Sequence, residues 1–307
     1  VTSSSGPGIA LKTEALGLAV SAELPLLIVN WQRGGPSTGL PTKTEQSDLY
    51  QAVFGRNADT PMPVLAAATS GDCFDMAVEG VRIALRHMTP VILLVDGYLS
   101  NASEPWLIPV VESLAAIESH APGEVSRGTG AQMLANKRDP ASLGRPWITP
   151  GMPGLVHRTG GLEKDYVTGH ISYDPDNHQQ MTEFRQAKVD AVADFVPGQT
   201  LELGDDNGDI VVVGWGSTYG PIYQAALKTG VSFVHLRHIH PLPRNLRDLL
   251  AGFDTVLVPE MNNGQLATLL RDKLGIQPIS FCKVSGQPFR ISELVGRIEA
   301  ERKGDTS

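Results

Sequence analysis

Leu26-Leu27-Ile28-Val29-Asn30-Trp31-Gln32-Arg33-Gly34-Gly35-Pro36-Ser37-Thr38-Gly39-Leu40-Pro41-Thr42 sets an apolar run directly against a loop of glycines, prolines, hydroxyls and one arginine. A buried strand that empties into such a loop is how an open α/β sheet presents a ligand site at the carboxyl ends of its strands. Arg33 carries a planar fork of donors that matches a carboxylate or phosphate in bidentate fashion. Gly34, Gly35 and Gly39 let the backbone come close to a ligand, and Ser37, Thr38 and Thr42 add hydroxyls. This chemistry points to an anion; the plainer alternative is a surface loop with a solvated arginine. A Walker loop is excluded, because the lysine that motif requires is missing.

On either side of this stretch, strand and helix alternate. Residues 2–8 read as a loop in which Ser3, Ser4 and Ser5 cap a helix over residues 9–22. Helices are predicted over 44–54, where Glu45 and Asp48 suit the positive end of the helix dipole, and over 72–87, with strands over 26–31, 63–67 and 90–95. Asp96-Gly97 at the end of the last strand has two readings, a tight turn or a residue that positions a ligand or another loop. From 117 to about 186 the period is lost in glycine, proline and charge, and a helix is predicted over 181–194. His170 and His178 flank Asp174 and Asp176, but their spacing fits no zinc motif, so we expect no metal there. A second α/β unit follows, with strands over 209–218, 231–236 and 255–259 and helices over 220–229, 246–250 and 265–274. Its Gly214-Trp215-Gly216-Ser217 turn resembles a phosphate cradle only weakly, and Glu260 to Gln265, at another strand end, has two readings, a partner surface or ligand edge or, more plainly, capping of a helix by Asn262 or Asn263. The alternation predicts a parallel, helix-covered sheet in each of two doubly wound domains.

The 307 residues, 41% hydrophobic, suffice for two moderate cores. A net charge of −8 without a basic run argues against nucleic acid or an anionic membrane as partner. No apolar run approaches the roughly 20 residues that span a bilayer, and the first residues, from Val1 to Ser5, lack the pattern of a signal peptide. Cys73 and Cys282 stand far apart. An iron–sulfur cluster, needing about four thiolates, cannot be held by this chain alone. We expect both thiols to be reduced, buried and inert, in a cytoplasmic setting.

Several segments together resemble the α subunit of 2-oxoacid:ferredoxin oxidoreductases, and among these the 2-oxoglutarate enzyme. They are Thr2-Ser3-Ser4-Ser5-Gly6-Pro7-Gly8, Ala22-Glu23-Leu24-Pro25, Gln32 to Thr42 with Gln46-Ser47-Asp48-Leu49, Gly169-His170-Ile171-Ser172-Tyr173-Asp174-Pro175, and Val258-Pro259-Glu260-Met261-Asn262. The resemblance implies oxidative decarboxylation of 2-oxoglutarate on thiamine diphosphate, transfer of the acyl group to coenzyme A, and electron delivery to ferredoxin. It implies that thiamine diphosphate, its Mg²⁺ and the iron–sulfur cluster are held mainly by a β subunit in an α2β2-type hetero-oligomer. It also implies that Arg33 and Thr42 bind the substrate and that Ser5 and Gly6 lie near the pyrimidine of the cofactor. The family's activating glutamate precedes the Thr2–Gly8 loop, and on the resemblance it lies upstream of Val1. No catalytic residue is therefore assigned here, and Glu14 and Glu23 are not candidates. Residues 1–116 are then expected to form a pyrimidine-binding-type domain lacking its start, 117–195 a connecting segment, and 196–307 a domain like the carboxyl-terminal domain of transketolases. The alternatives are a non-catalytic scaffold or fragment of such a complex, a carboxylate-binding protein outside this family, or an enzyme for another 2-oxoacid such as pyruvate.

Overall fold

The computed structural model describes residues 1–118 and 134–304; residues 119–133 of the expected connecting segment and 305–307 of the expected second domain lie outside the described residues. The strands are β1 (Thr2–Ser5), β2 (Leu26–Gln32), β3 (Val64–Ala66), β4 (Pro90–Asp96), β5 (Leu201–Leu203), β6 (Gly208–Trp215), β7 (Ser232–Leu236), β8 (His238–His240), β9 (Phe253–Glu260) and β10 (Ile279–Cys282). They form two five-stranded sheets, β1-β2-β4-β3-β8 and β10-β9-β6-β7-β5. Each sheet is parallel except for one antiparallel edge, β8 on β3 and β5 on β7. The first sheet therefore takes one edge strand from the second half of the chain.

Side chains alternate across a strand, and here both faces are covered. On β4, Ile92 and Leu94 join an inner core with Val211, Val213 and Trp215 of β6, so the two sheets share one apolar cluster. Val91, Leu93 and Val95 face the other way, under helix Asp72–His87 with Ile83 and Ala84. In the second unit, Ile210 and Val212 pack outward beneath helices Tyr219–Thr229 and Ile291–Lys303, against Ile222, Leu294 and Ile298. Burial on both faces explains the continuous apolar runs that made these strands legible.

Four local readings are corrected. Thr2–Ser5 is not a loop but a strand, paired with β2 in the register Ser5↔Trp31, and Ser5 precedes helix Gly6–Ala10 without a side-chain capping bond. The helix expected over 9–22 divides into Gly6–Ala10 and Thr13–Ser21. The helix expected over 44–54 begins only at Leu49, because residues 45–48 bond to other parts of the chain. The helix expected over 181–194 starts at Pro175, where Asp174 caps Asn177 N, and runs to Asp190 before the short helix Val192–Phe195. Neither thiol is fully buried: Cys282 is exposed, and Cys73 is half-buried with its pKa pushed to about 12, chiefly by burial.

The described part of the connecting segment is tied down by a buried charge. Glu23 follows helix Thr13–Ser21 at φ +52, a left-handed conformation that costs a non-glycine residue about 1 kcal/mol or more. Its carboxylate accepts from Arg138 Nη2 at 2.7 Å and from Lys188 Nζ, and the Arg138 guanidinium lies 4.8 and 4.2 Å from the Tyr166 and Phe184 ring centroids. Arg145 and Lys164 meet the helix end through Ala22 O and Ser21 O. Burial alone raises the Glu23 pKa, but Lys188 and Arg138 outweigh it and hold the carboxyl at about 2. Its folded pKa lies below its ordinary 4.5, so the pair's stability is complete above about pH 4.5 and is lost as pH falls toward about 2. Glu23→Gln leaves the buried cations uncompensated and should lower unfolding free energy at pH 7 by about 3–5 kcal/mol. Urea melts across pH should show the wild-type and variant curves converging below pH 4; parallel curves would contradict the assignment.

Candidate functional site

The registers Ser5↔Trp31 and Gln32↔Asp96 bring the carboxyl ends of β1, β2 and β4 side by side. Ser5 and Gly6 leave the end of β1, Arg33 leaves β2, and Asp96 ends β4. Val1 stands exposed immediately before β1, at the opposite end of that strand from Ser5 and Gly6. The loop after β2 closes on itself. Gly34 N donates to Lys43 O at 3.0 Å, Leu40 N to Gly34 O at 2.8 Å, and Gly35 N to Glu45 Oε2 at 3.0 Å, while Arg33 bridges Thr44. Glu45 thus serves the loop rather than a helix dipole. The Arg33 guanidinium makes no ion pair or hydrogen bond among the described residues, and its Nε is buried. Thr42 sits in this loop at φ +60, exposed, with its hydroxyl donating to Pro41 O at 2.7 Å. The structure therefore brings Ser5, Gly6 and Arg33 to one sheet end, and places Thr42 on the same loop without a bond to Arg33.

Beneath the loop lies a polar layer that the sequence only hinted at. Asn30 Nδ2 donates to Asp48 Oδ2 at 3.1 Å, and Asp48 N donates to Gln32 Oε1 at 3.2 Å. Asn30 and Gln32 are polar residues on the buried side of an otherwise apolar strand, and that exception was the available signal. Burial raises the Asp48 pKa and the Glu45 carboxylate adds to this, against the Asn30 bond. Asn30 Oδ1 is buried without a partner. Buried polar atoms in native folds are nearly always bonded, and at this sheet end Asn30 Oδ1 and Arg33 Nε are among those that are not.

The site's rear wall is the second sheet. Asp96 Oδ2 accepts from Ser217 N at 2.7 Å, and its Oδ1 from Thr44 Oγ1 and Tyr98 N, both at 3.1 Å; burial raises its pKa and the Ser217 bonds oppose the rise. Of the two readings of Asp96, the second holds in part: it positions another loop while also capping its own turn. Gln46 Nε2 donates to Trp215 O at 2.8 Å, its Oε1 accepts from Met261 N at 3.0 Å, its N donates to Met261 O, and its O accepts from Asn262 Nδ2. Gly216 is at φ +59, and a Cβ there would lie 2.5 Å from Gln46 Nε2 and 2.8 Å from Asp96 Oδ2. The Gly-Trp-Gly-Ser turn thus binds a carboxylate of the protein itself. Asn262 caps Gln265 N as expected, and Glu260 additionally accepts from Leu266 N and Ala267 N. His178 pairs with Glu163 at 2.8 Å while His170 is exposed, and among the described residues no group of three or more His, Cys, Asp or Glu could hold a metal. No helix among them is long and apolar enough to cross a membrane.

The fold is an open α/β one, with an unpaired arginine beside a serine–glycine turn at its strand ends. The chain belongs to the oxidoreductase family described as "pyruvate flavodoxin/ferredoxin oxidoreductase, thiamine diP-bdg", which matches residues 1–165. It is 48% identical to the 2-oxoglutarate oxidoreductase subunit KorA of Mycobacterium tuberculosis, over 99% of this chain and 46% of that protein. It is 30% identical to the 2-oxoglutarate synthase subunit KorA of Archaeoglobus fulgidus, over 94% of this chain and 74% of that protein. The structure is similar to that of the 2-oxoglutarate:ferredoxin oxidoreductase from Magnetococcus marinus with 2-oxoglutarate, coenzyme A and succinyl-CoA bound. That match has a TM-score of 0.89 at 34% identity and covers 98% of this chain and 52% of that one. The chain spans about half the length of the Mycobacterium tuberculosis and Magnetococcus marinus proteins.

Gln46→Ala should strip partners from Met261 N and Trp215 O and lower stability by about 2–4 kcal/mol. The melting temperature checks this. An unchanged melt would show that the two sheets are held without this amide.

Proposed function

We propose that this chain is the α-subunit portion of a thiamine-diphosphate-dependent 2-oxoglutarate:ferredoxin oxidoreductase, converting 2-oxoglutarate to succinyl-CoA with reduction of ferredoxin. The observation that carries this reading is the unpaired Arg33 guanidinium, with its Nε buried, at the end of β2 beside Ser5 and Gly6 in a chain of this family. The residues at that end fit the cofactor's polar edge: Asn30 Oδ1 lacks a partner, and a Cβ on Gly6 would lie 3.0 Å from Asp48 Oδ2, so the turn is kept narrow there. Ser5 and Gly6 would hold the pyrimidine side. When bound, thiamine diphosphate supplies the carbon nucleophile and electron sink that decarboxylation needs. Arg33 holds the carboxylate of the 2-oxoacid in one orientation while it leaves as CO₂, and Thr42 contributes a hydroxyl at the same pocket. The loop's bonds to Glu45 and to its own backbone keep Arg33 in place, so little ordering is left to substrate binding.

On this reading Mg²⁺, most of the thiamine diphosphate contacts and the iron–sulfur cluster belong to a β subunit, coenzyme A is the cosubstrate, and the assembly is an α2β2-type hetero-oligomer in the cytoplasm. No residue of this chain is given the role of activating the cofactor. The names of the relatives as subunits support a partner chain. We assign residues 1–116 to the pyrimidine-type domain, 117–195 to the connecting segment and 196–307 to the transketolase carboxyl-terminal-like domain.

Arg33→Ala in the assembled enzyme should reduce kcat/KM for the 2-oxoacid by about 100-fold or more while leaving assembly intact, and Arg33→Lys should recover part of the loss. Reduction of a viologen dye dependent on the 2-oxoacid and coenzyme A measures it. Normal turnover in the alanine variant would refute the role; absent turnover in the unmodified assembly would favour a scaffold.

A further inference from the structure

Asp48 stands immediately before helix Leu49–Phe54, a position where an aspartate ordinarily accepts from the backbone N–H groups of the first turn. Its side chain makes no such capping bond. The carboxylate turns instead to the end of β1. A Cβ on Gly6 would lie 3.0 Å from Asp48 Oδ2 and 3.2 Å from Oδ1, so both oxygens rest on the Ser5–Gly6 turn, and the missing side chain of Gly6 is what admits them.

Few donors answer this carboxylate. Asn30 Nδ2 donates to Oδ2 at 3.1 Å, while Oδ1 accepts from no group among the described residues and no cation there pairs with either oxygen. The charge that acts on Asp48 is of its own sign: burial, and after it the neighbouring Glu45 carboxylate, raises its pKa against the Asn30 bond. Other interior carboxylates are better supplied. Glu23 has Arg138 and Lys188, Asp96 has Ser217 N and Tyr98 N, and Glu260 has Leu266 N and Ala267 N. Because Asn30 occupies Oδ2, the open acceptor on the turn is Oδ1, half-buried beside a second negative charge. A ligand N–H group is the chemistry that this oxygen lacks.

We propose that Asp48 is a positioning residue for the cofactor, its Oδ1 accepting a hydrogen bond from the amino group of the aminopyrimidine ring. The assignment rests on the reading above, in which the pyrimidine side of thiamine diphosphate lies at Ser5 and Gly6. Asp48→Asn keeps the shape of the side chain and changes one partner. The substituted amide gives its oxygen to Asn30 Nδ2 and turns its NH₂ to the ring, donor against donor.

The test uses the assembled oxidoreductase containing this chain, stripped of its cofactor, and measures binding by calorimetry without turnover. The two probes are thiamine diphosphate and an analogue with hydrogen in place of the ring amino group. In Asp48→Asn the preference for thiamine diphosphate over the analogue, taken as the ratio of their Kd values, should fall about 10- to 100-fold from that of the unmodified enzyme, because thiamine diphosphate alone loses a partner. Both constants come from one protein, so a reduced folded fraction cancels from the ratio. A ratio unchanged in Asp48→Asn, whether both ligands are weakened alike or neither is, would show a merely structural role and overturn the proposal while leaving the cofactor reading in place. Failure of the unmodified assembly to bind thiamine diphosphate would overturn both.

Discussion

The amide of Gln46 is the joint on which the two halves of the molecule depend. It is fully buried and bonds through both main-chain and side-chain atoms to Trp215, Met261 and Asn262, so one residue of the first unit acts as a short strand laid across the ends of the second sheet. A buried amide left partly bonded costs free energy, whereas one with donors and acceptors all engaged rigidifies its surroundings. Gln46 lies 13 residues after Arg33 in the chain, past the loop that carries the site. The same bonds that join the sheets therefore fix where that loop ends.

Charge is handled differently on the two sides of this joint. At the far end of helix Thr13–Ser21, Glu23 is answered by Arg138 and Lys188, and further cations reach backbone carbonyls. At the seam, Asp96 and Glu260 are met by backbone N–H groups and not by cations, and burial raises the pKa of both. These carboxylates fasten the seam as an ion pair would elsewhere, and they leave Arg33 without a competitor. Had either seam carboxylate faced the loop, the attraction of a nearby unit charge would have closed the site on itself.

Strands buried on both faces were readable because they are continuous in apolar residues; β2, β4, β6 and β9 are of this kind. Helix Ile291–Lys303 escaped although its capping is local, and several other missed elements are held by partners distant in the chain. Thr2–Ser5 is polar and at an edge, and only its register with β2 makes it a strand. His238–His240 is three residues long and joins the first sheet against β3. Residues 45–48 have helical character in isolation, but Gln46 and Glu45 are engaged in tertiary bonds, and the helix waits until Leu49. At the site, Arg33 was legible from its loop, whereas Asp48 and Asn30 needed the spatial meeting of β2 with the residues after the loop.

Why the site lies at the sheet ends next to the seam follows from satisfaction of polar groups. In a parallel sheet the carboxyl ends release N–H and C=O groups that something must meet, and here Asp96 meets those of Tyr98, Leu99 and Ser217 and Gln46 those of Trp215 and Met261. Side-chain atoms buried without a partner remain on or just after the carboxyl ends of β2 and β6: Asn30 Oδ1, Arg33 Nε, Trp215 Nε1 and Ser217 Oγ. Buried polar atoms in native folds are nearly always bonded, so the open donors and acceptors of this region concentrate where the strand ends of the two sheets meet.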